Sequence, residues 1–169
     1  MQTIREAEEA IRNVFAAKGR KPELRYDPSR VIENERWWYI PCGWIGSHGC
    51  IVNKNDLYVN WLGSATSVEH ALWGHDHGLF HDFVDFAFAS NTAPDLVTRL
   101  LLRFRHMHPN ARGAMPKEPV AYRDSEIEYA LASQFPVFLR HFVWYAIPEI
   151  RRAYEANVLR FTAKLSKRA

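Results

Sequence analysis

The sequence predicts an α+β fold: an N-terminal helix, an antiparallel sheet of three to four strands and a C-terminal helical layer. Three observations predict it. Apolar residues recur at helical spacing over residues 3–17, bulky β-formers punctuated by turn residues fill 26–64, and helical spacing returns from residue 94 onward. Helices and strands segregated in this order argue for helices laid over one face of an antiparallel sheet. The 169 residues fit one domain, with helix and sheet over 1–90 and a helical part over 91–169.

Each element follows from local chemistry. Thr3 and Glu6 form a capping box ahead of Ile4, Ala7, Ile11, Val14 and Phe15, which lie on one helical face, and Gly19 stops that helix. Arg20–Arg25 reads as a loop. Three strands follow at Val31–Pro41, His48–Asn53 and Leu57–Leu62, the last two joined by the tight-turn residues Asn53-Lys54-Asn55-Asp56. Gly43, Gly46 and Gly49 bracket Trp44 in the first connection, giving a meander. Ser67–Trp73 reads as a short helix capped by Thr66 or Ser67 and ended by Gly74. Phe80–Ala89 alternates as a fourth strand, with a helix as the competing assignment. Pro94 opens a helix running to about Met107, and three prolines and a glycine make 108–122 a loop. Ser125 with Glu128 forms a second capping box, Pro136 and Pro148 fit first-turn positions, and Ile150, Tyr154, Asn157, Val158, Phe161 and Leu165 form the stripe of a last helix.

Composition narrows the function classes. With 47% apolar and 24% charged residues, the chain is neither disordered nor a coiled coil. Ten Phe, seven Tyr and six Trp supply a large core without disulfides or metal, each buried ring contributing about 1.5–3 kcal/mol. The polar segment Met1–Glu9 does not resemble a signal peptide, and no apolar run reaches about 18 residues. Two cysteines, Cys42 and Cys50, make no disulfide scaffold, so a cytoplasmic location is expected. Residues 1–90 carry nine Lys or Arg against twelve Asp or Glu, and residues 91–169 thirteen against seven. A basic second half suits nucleic acid or an acidic protein, and solvated helix faces produce the same counts.

The sharpest chemical constellation is His70, His75, His77 and His81, accompanied by Glu69, Asp76, Asp82 and Asp85. Imidazoles and carboxylates are what zinc uses, and this cluster defines the alternative function, a metal-dependent enzyme. The spacing matches neither H-E-x-x-H nor H-x-H-x-D-H, because Leu79 and Phe80 occupy the last two positions of the second pattern. A polar loop whose imidazoles cap the short helix or satisfy local backbone explains the cluster without a metal. Cys42 or Cys50 with His48 lacks an orienting third residue for nucleophilic catalysis, and Gly43–Gly49 lacks the Lys-Ser/Thr of a phosphate loop. Arg99, Arg103 and Arg105, then Arg151, Arg152, Arg160 and Lys164, form basic helix faces without a nucleic-acid motif. Trp37, Trp38, Tyr39, Trp44, Tyr58 and Trp61 cannot share one sheet face, since strand neighbours alternate. Either some of these rings, beside Glu33, Glu35 and Asp56, form a protein-recognition surface, or the sheet is packed on both faces.

The block Trp37-Trp38-Tyr39-Ile40-Pro41, Gly46, Gly49, Ile51-Val52-Asn53-Lys54, Val59 and Leu62-Gly63-Ser64 resembles small bacterial immunity proteins of polymorphic and type VI secretion toxin systems. The resemblance covers about residues 1–75, and no toxin-contact residue is carried over with it. It implies a protein that neutralises a cognate toxin by direct contact, using no cofactor, no catalytic residue, no membrane and no nucleic acid. The residues expected at that contact are Trp44, His48 and Tyr58 with His75, Asp76, His77 and His81 from the histidine loop.

Overall fold

The computed structural model describes residues 2–19, 24–42, 47–80, 82–107, 114–133 and 138–166, with backbone alone at 138–140. The chain divides into two compact units, Met1–Leu72 and Trp73–Ala169. Five α-helices and two antiparallel sheets are found among the described residues, so the α+β class holds.

In the first unit, helix α1 (Ile4–Ala17) carries the expected capping box: the Thr3 hydroxyl accepts from the Glu6 amide and the Glu6 carboxylate accepts from the Thr3 amide. That carboxylate sits below its ordinary pKa because of those bonds to Thr3. Gly19, in the left-handed region at φ 69°, ends the helix. The sheet follows in sequence order as β1 (Ile32–Glu33), β2 (Trp37–Ile40), β3 (Ser47–Asn53) and β4 (Val59–Gly63). The expected long first strand is thus two short ones, because Asn34 turns the chain: its side-chain oxygen accepts from the Arg36 and Trp37 amides. Asn53 and Asp56 accept in the same way from Asn55 and Tyr58 to close the predicted tight turn. Leu57 takes φ 55° there, so β4 starts at Val59 and not at Leu57.

Helix α1 buries Ala7, Ile11 and Phe15 against Trp38, Ile40, Cys42, Cys50 and Val52. The opposite face of the sheet is buried as well, with Trp37, Tyr39, Ile51, Asn60 and Leu62 all withdrawn from solvent. The sheet is therefore packed on both faces, and the strand Trp37–Ile40 offers no exposed aromatic surface. Lys54 lies 4.6 Å above the Trp38 ring and pairs with Glu33, whose carboxyl it holds below the ordinary range.

Helix α2 (Val68–Asp76) carries the chain from the first unit into the second. Ser67 caps it, its hydroxyl accepting from the His70 amide. Gly74 does not end this helix; a Cβ there would stand 2.8 Å from Ile147 Cδ1, so the missing side chain makes room for packing.

The second unit departs from the expected helical layer. It holds a five-stranded sheet in the order β7-β6-β8-β5-β9, from β5 (Val84–Phe88), β6 (Arg105–His106), β7 (Val120–Ala121), β8 (Phe138–Phe142) and β9 (Phe161–Leu165). The fourth strand expected at Phe80–Ala89 exists, shortened to β5, and pairs with β8 and β9 instead of joining the meander. Helix α3 (Pro94–Leu101) starts at the expected proline but stops before Arg105, which enters β6. Helix α4 (Asp124–Ala132) is capped at Arg123, whose amide donates to Glu126; Ser125 lies inside the helix, so the expected Ser125–Glu128 box is not the cap. Helix α5 (Ile147–Glu155) ends where Asn157 turns left-handed at φ 64°, and the apolar residues beyond it form β9. Pro136 lies outside the described residues, and Pro148 sits in the first turn of α5 as expected.

Strand β5 puts Val84, Phe86 and Phe88 inside. Phe86 meets Phe88, Phe104 and Phe161 with ring centroids 4.9, 5.2 and 5.0 Å away, and α3 adds Leu96, Val97, Leu100 and Leu101 to the buried set.

Candidate functional site

The expected contact residues fall in several places. Trp44 and His81 lie outside the described residues. His48 is the extra residue of a β-bulge: Ser47 pairs with Gly63 and Gly49 with Leu62, leaving the imidazole exposed with its Nε2–H donating to the Ser64 carbonyl at 2.8 Å. Tyr58 is half-buried just before Val59, at the far end of the β3–β4 pairing from His48, so the two rings do not form one patch.

His75, Asp76 and His77 follow one another at the end of α2, in the second unit. His75 is buried, meeting the Phe80 ring edge-on at 5.0 Å. Asp76 is half-buried. His77 donates its Nδ1–H to the Trp73 carbonyl at 2.7 Å, stacks on the Trp73 indole at 4.1 Å and meets Tyr154 edge-on at 4.9 Å. Its ring is thus engaged with local backbone and aromatic neighbours. His70 is half-buried on the first turn of α2. Among the described residues, no three His, Cys, Asp or Glu side chains are placed to hold a metal ion.

The basic faces are largely committed within the fold. Arg103 pairs with Glu149 at 2.7 Å and Arg151 with Glu155 at 2.7 Å. The guanidinium of Arg105 donates to the Phe104 carbonyl, and that of Arg160 donates to Leu159 while covering the Tyr154 ring. The unit boundary also redistributes the charge. Residues 1–72 carry nine Lys or Arg and nine Asp or Glu, and residues 73–169 carry thirteen and ten, so the second unit is +3, not the +6 of residues 91–169.

Cys42 and Cys50 are both buried free thiols. The contact with Cys42, then burial, pushes the Cys50 thiol far above its ordinary value, so Cys50 offers no thiolate for nucleophilic attack at neutral pH. A cleft of about 210 Å³ lies between α1 and β4, lined by Val14, Phe15, Lys18, Val59 and Trp61. It is smaller than the roughly 300–1,000 Å³ typical of small-molecule sites.

What the strand misassignment concealed is a buried polar group in the second unit. The β6–β8 register sets His106 directly across from His141, and both imidazoles are withdrawn from solvent. Tyr122, just past β7, hydrogen-bonds His141 Nε2 through its hydroxyl and stacks on that ring at 5.4 Å, and its ring centroid lies 4.7 Å from that of His106. Glu126 of α4 places its carboxylate 3.9 Å from His106 Nε2. Burial, and secondarily the Glu126 charge, raises the phenol's pKa, so Tyr122 keeps its proton. No sequence spacing announces this cluster, because His106, Tyr122 and His141 meet only through strand pairing.

The outer surface of the second unit is the other distinctive feature. Tyr129 on α4 is 73% exposed, and Tyr145, on the 3-10 turn Trp144–Ala146, is 68% exposed. Leu102, Met115, Val120 and Val158 are also exposed there, against Ile32 alone in the first unit among the described residues. Tyr145 continues a ring series through Phe142 to Phe83, at 5.6 and 6.2 Å. No protein-family model, curated protein or solved structure matches this chain.

Proposed function

We propose that this chain is an immunity-type binding protein that neutralises a cognate toxin by direct contact, with the second unit contributing the aromatic anchors. The observation that carries the reading is the pair of large tyrosines held outside, at 73% and 68% exposure, when every other Phe, Tyr and Trp among the described residues is buried or half-buried. Exposing such rings forgoes the stabilisation of burial, and Tyr is enriched among the residues that dominate protein interfaces. The excess of cations in the second unit suits an acidic contact surface on the toxin. His48, exposed on its bulge, adds a polar group on the first unit. The engaged imidazole of His77 and the buried imidazole of His75 favour this reading over a metal-dependent enzyme.

Co-expression with the product of the adjacent gene tests it. The expected result is protection of the host cell and co-purification of the two chains, both weakened in a Tyr129→Ala/Tyr145→Ala variant. A well-folded chain that neither protects nor co-purifies refutes it.

A further inference from the structure

Cys42 and Cys50 take no part in the contact binding proposed above, and the first unit brings their side chains together. The β2–β3 register sets Cys50 opposite Ile40, and Cys42 lies two residues beyond Ile40. Both thiols belong to the core cluster under α1, so they share one side of the sheet. In a regular sheet such diagonal neighbours stand about 7–8 Å apart, too far for a disulfide, whose Cα atoms are usually about 4.4–6.8 Å apart. Here the backbones approach more closely. Strand β3 bulges between Ser47 and Gly49, and a Cβ on Gly49 would lie 2.2 Å from the Ile40 carbonyl oxygen and 3.0 Å from the Cys42 amide nitrogen. The Cys42 thiol turns back along β2 to donate to the Ile40 carbonyl at 3.3 Å. Its sulfur is thereby left to accept from the Cys50 thiol, and the two side chains are hydrogen-bonded to each other. We infer that Cys42 and Cys50 form a redox-active pair, which a peroxide converts into an internal disulfide that staples the end of β2 to β3.

The fold assigns the two sulfurs different parts. Cys42 lies past Ile40, the last paired residue of β2, whereas Cys50 is paired on both sides, to Ile40 and to Trp61. Fraying of the strand end therefore frees Cys42 first. Both thiols are withdrawn from solvent, which favours an oxidant the size of water over a bulky one. The Cys42 sulfur, as thiolate, attacks one peroxide oxygen. The O–O bond breaks, hydroxide leaves and takes up the Cys42 proton as water, and Cys42 becomes a sulfenic acid. The Cys50 sulfur then attacks the Cys42 sulfur. The S–O bond breaks as the S–S bond forms, and the departing hydroxide takes the Cys50 proton, so no free Cys50 thiolate is needed. In sum, two thiols lose two electrons and two protons, and one peroxide becomes two waters. The cross-link closes the short segment between the two residues, which restricts the unfolded chain and so stabilises the first unit.

Exposure of the folded, full-length protein to hydrogen peroxide at neutral pH tests this, and a failure here leaves the partner-binding reading to its own experiment. The exposure is matched to the time that oxidises the same thiols in denaturant, and the sample is then alkylated in denaturant. The expected result is a fall from two alkylatable thiols to none. The intact mass should drop by about 2 Da, and a digest should hold one peptide pair joined through Cys42 and Cys50, both reversed by a dithiol reductant. Cys50→Ser is expected to stop at the Cys42 sulfenic acid, trapped by a cyclic diketone, whereas Cys42→Ser leaves the Cys50 thiol unreacted. The unsubstituted protein carries the decisive readout whichever variant folds. Two thiols persisting after that exposure, oxygen added without a cross-link, or a link between separate chains overturns the pair. So does a sulfenic acid on Cys50 in a folded Cys42→Ser.

Discussion

Phe86→Ala is the substitution whose cost the structure specifies most tightly. Phe86 has no exposed surface, and its strand β5 is hydrogen-bonded on both sides, to β8 and β9. Its ring contacts Phe88 and Phe104 edge-on and stacks on Phe161 at 13°. Removing it forfeits transfer energy and leaves a cavity enclosed by three rigid rings, which together cost about 3–5 kcal/mol. With a urea slope of about 2 kcal/mol/M, the transition of the second unit should shift down by roughly 2 M. Phe86→Leu keeps most of the volume and should cost no more than about 1.5 kcal/mol, separating occupancy from ring geometry. Urea titration monitored by amide exchange of β5 and β9 reads the two variants against the original. A Phe86→Ala midpoint within about 0.3 M of the original would falsify the packing described for this unit.

Three other outcomes follow from the same geometry. Gly49 has φ 130°, and a Cβ there would sit 2.2 Å from the Ile40 carbonyl oxygen and 2.8 Å from Pro41 Cα, so Gly49→Ala forces β2 and β3 apart. It should cost about 3 kcal/mol in thermal unfolding, against about 1–2 kcal/mol for Gly19→Ala, where nothing lies within 4 Å. Burial, followed by the hydrogen bond to Glu8, pushes the Tyr26 pKa up to about 12 from 10.0. The folded state therefore holds a proton that the unfolded state releases above pH 10, and stability should fall from pH 10 to 12, less steeply in Tyr26→Phe. Absorbance titration should show Tyr26 ionising late. Cys42 and Cys50 should ignore an aromatic disulfide reagent in the native protein and react as two thiols in denaturant; rapid native reaction contradicts their burial.

In the first 76 residues the elements are legible where their signals are local, whereas the break at Asn34, the strand start after Leu57 and the helix end beyond Gly74 are not. Thr3 with Glu6, the Asn53–Asp56 turn and Ser67 each act on backbone within a few residues, so the sequence states both the element and its boundary. The second half was misread for a physical reason. Phe161 and Leu165 continue the helical period of Ile150 and Tyr154, and only the left-handed turn at Asn157 converts that stripe into strand β9. Arg105 and His106 likewise extend the pattern of α3 but pair with β8, more than thirty residues away in sequence. The histidine loop is conspicuous through proximity in sequence, whereas among the described residues the buried imidazoles are His75 at its edge and the His106–His141 pair. That pair exists only once long-range strand register is set, which no spacing rule contains. The exposure of Tyr129 and Tyr145 was hidden for the same reason: an apolar residue's side of an element depends on which element covers it.

Calorimetric titration of the purified chain into the product of the adjacent gene, with the toxicity of that product measured at each point, bears most directly on the proposal of contact-based neutralisation. The expected result is a saturating complex whose stoichiometric point coincides with complete loss of toxin activity. Tyr129→Ala and Tyr145→Ala should between them weaken it by roughly 30-fold or more, the signature of an anchor worth about 2 kcal/mol. No heat and undiminished toxin activity, with a chain that amide exchange shows to be folded, would contradict it.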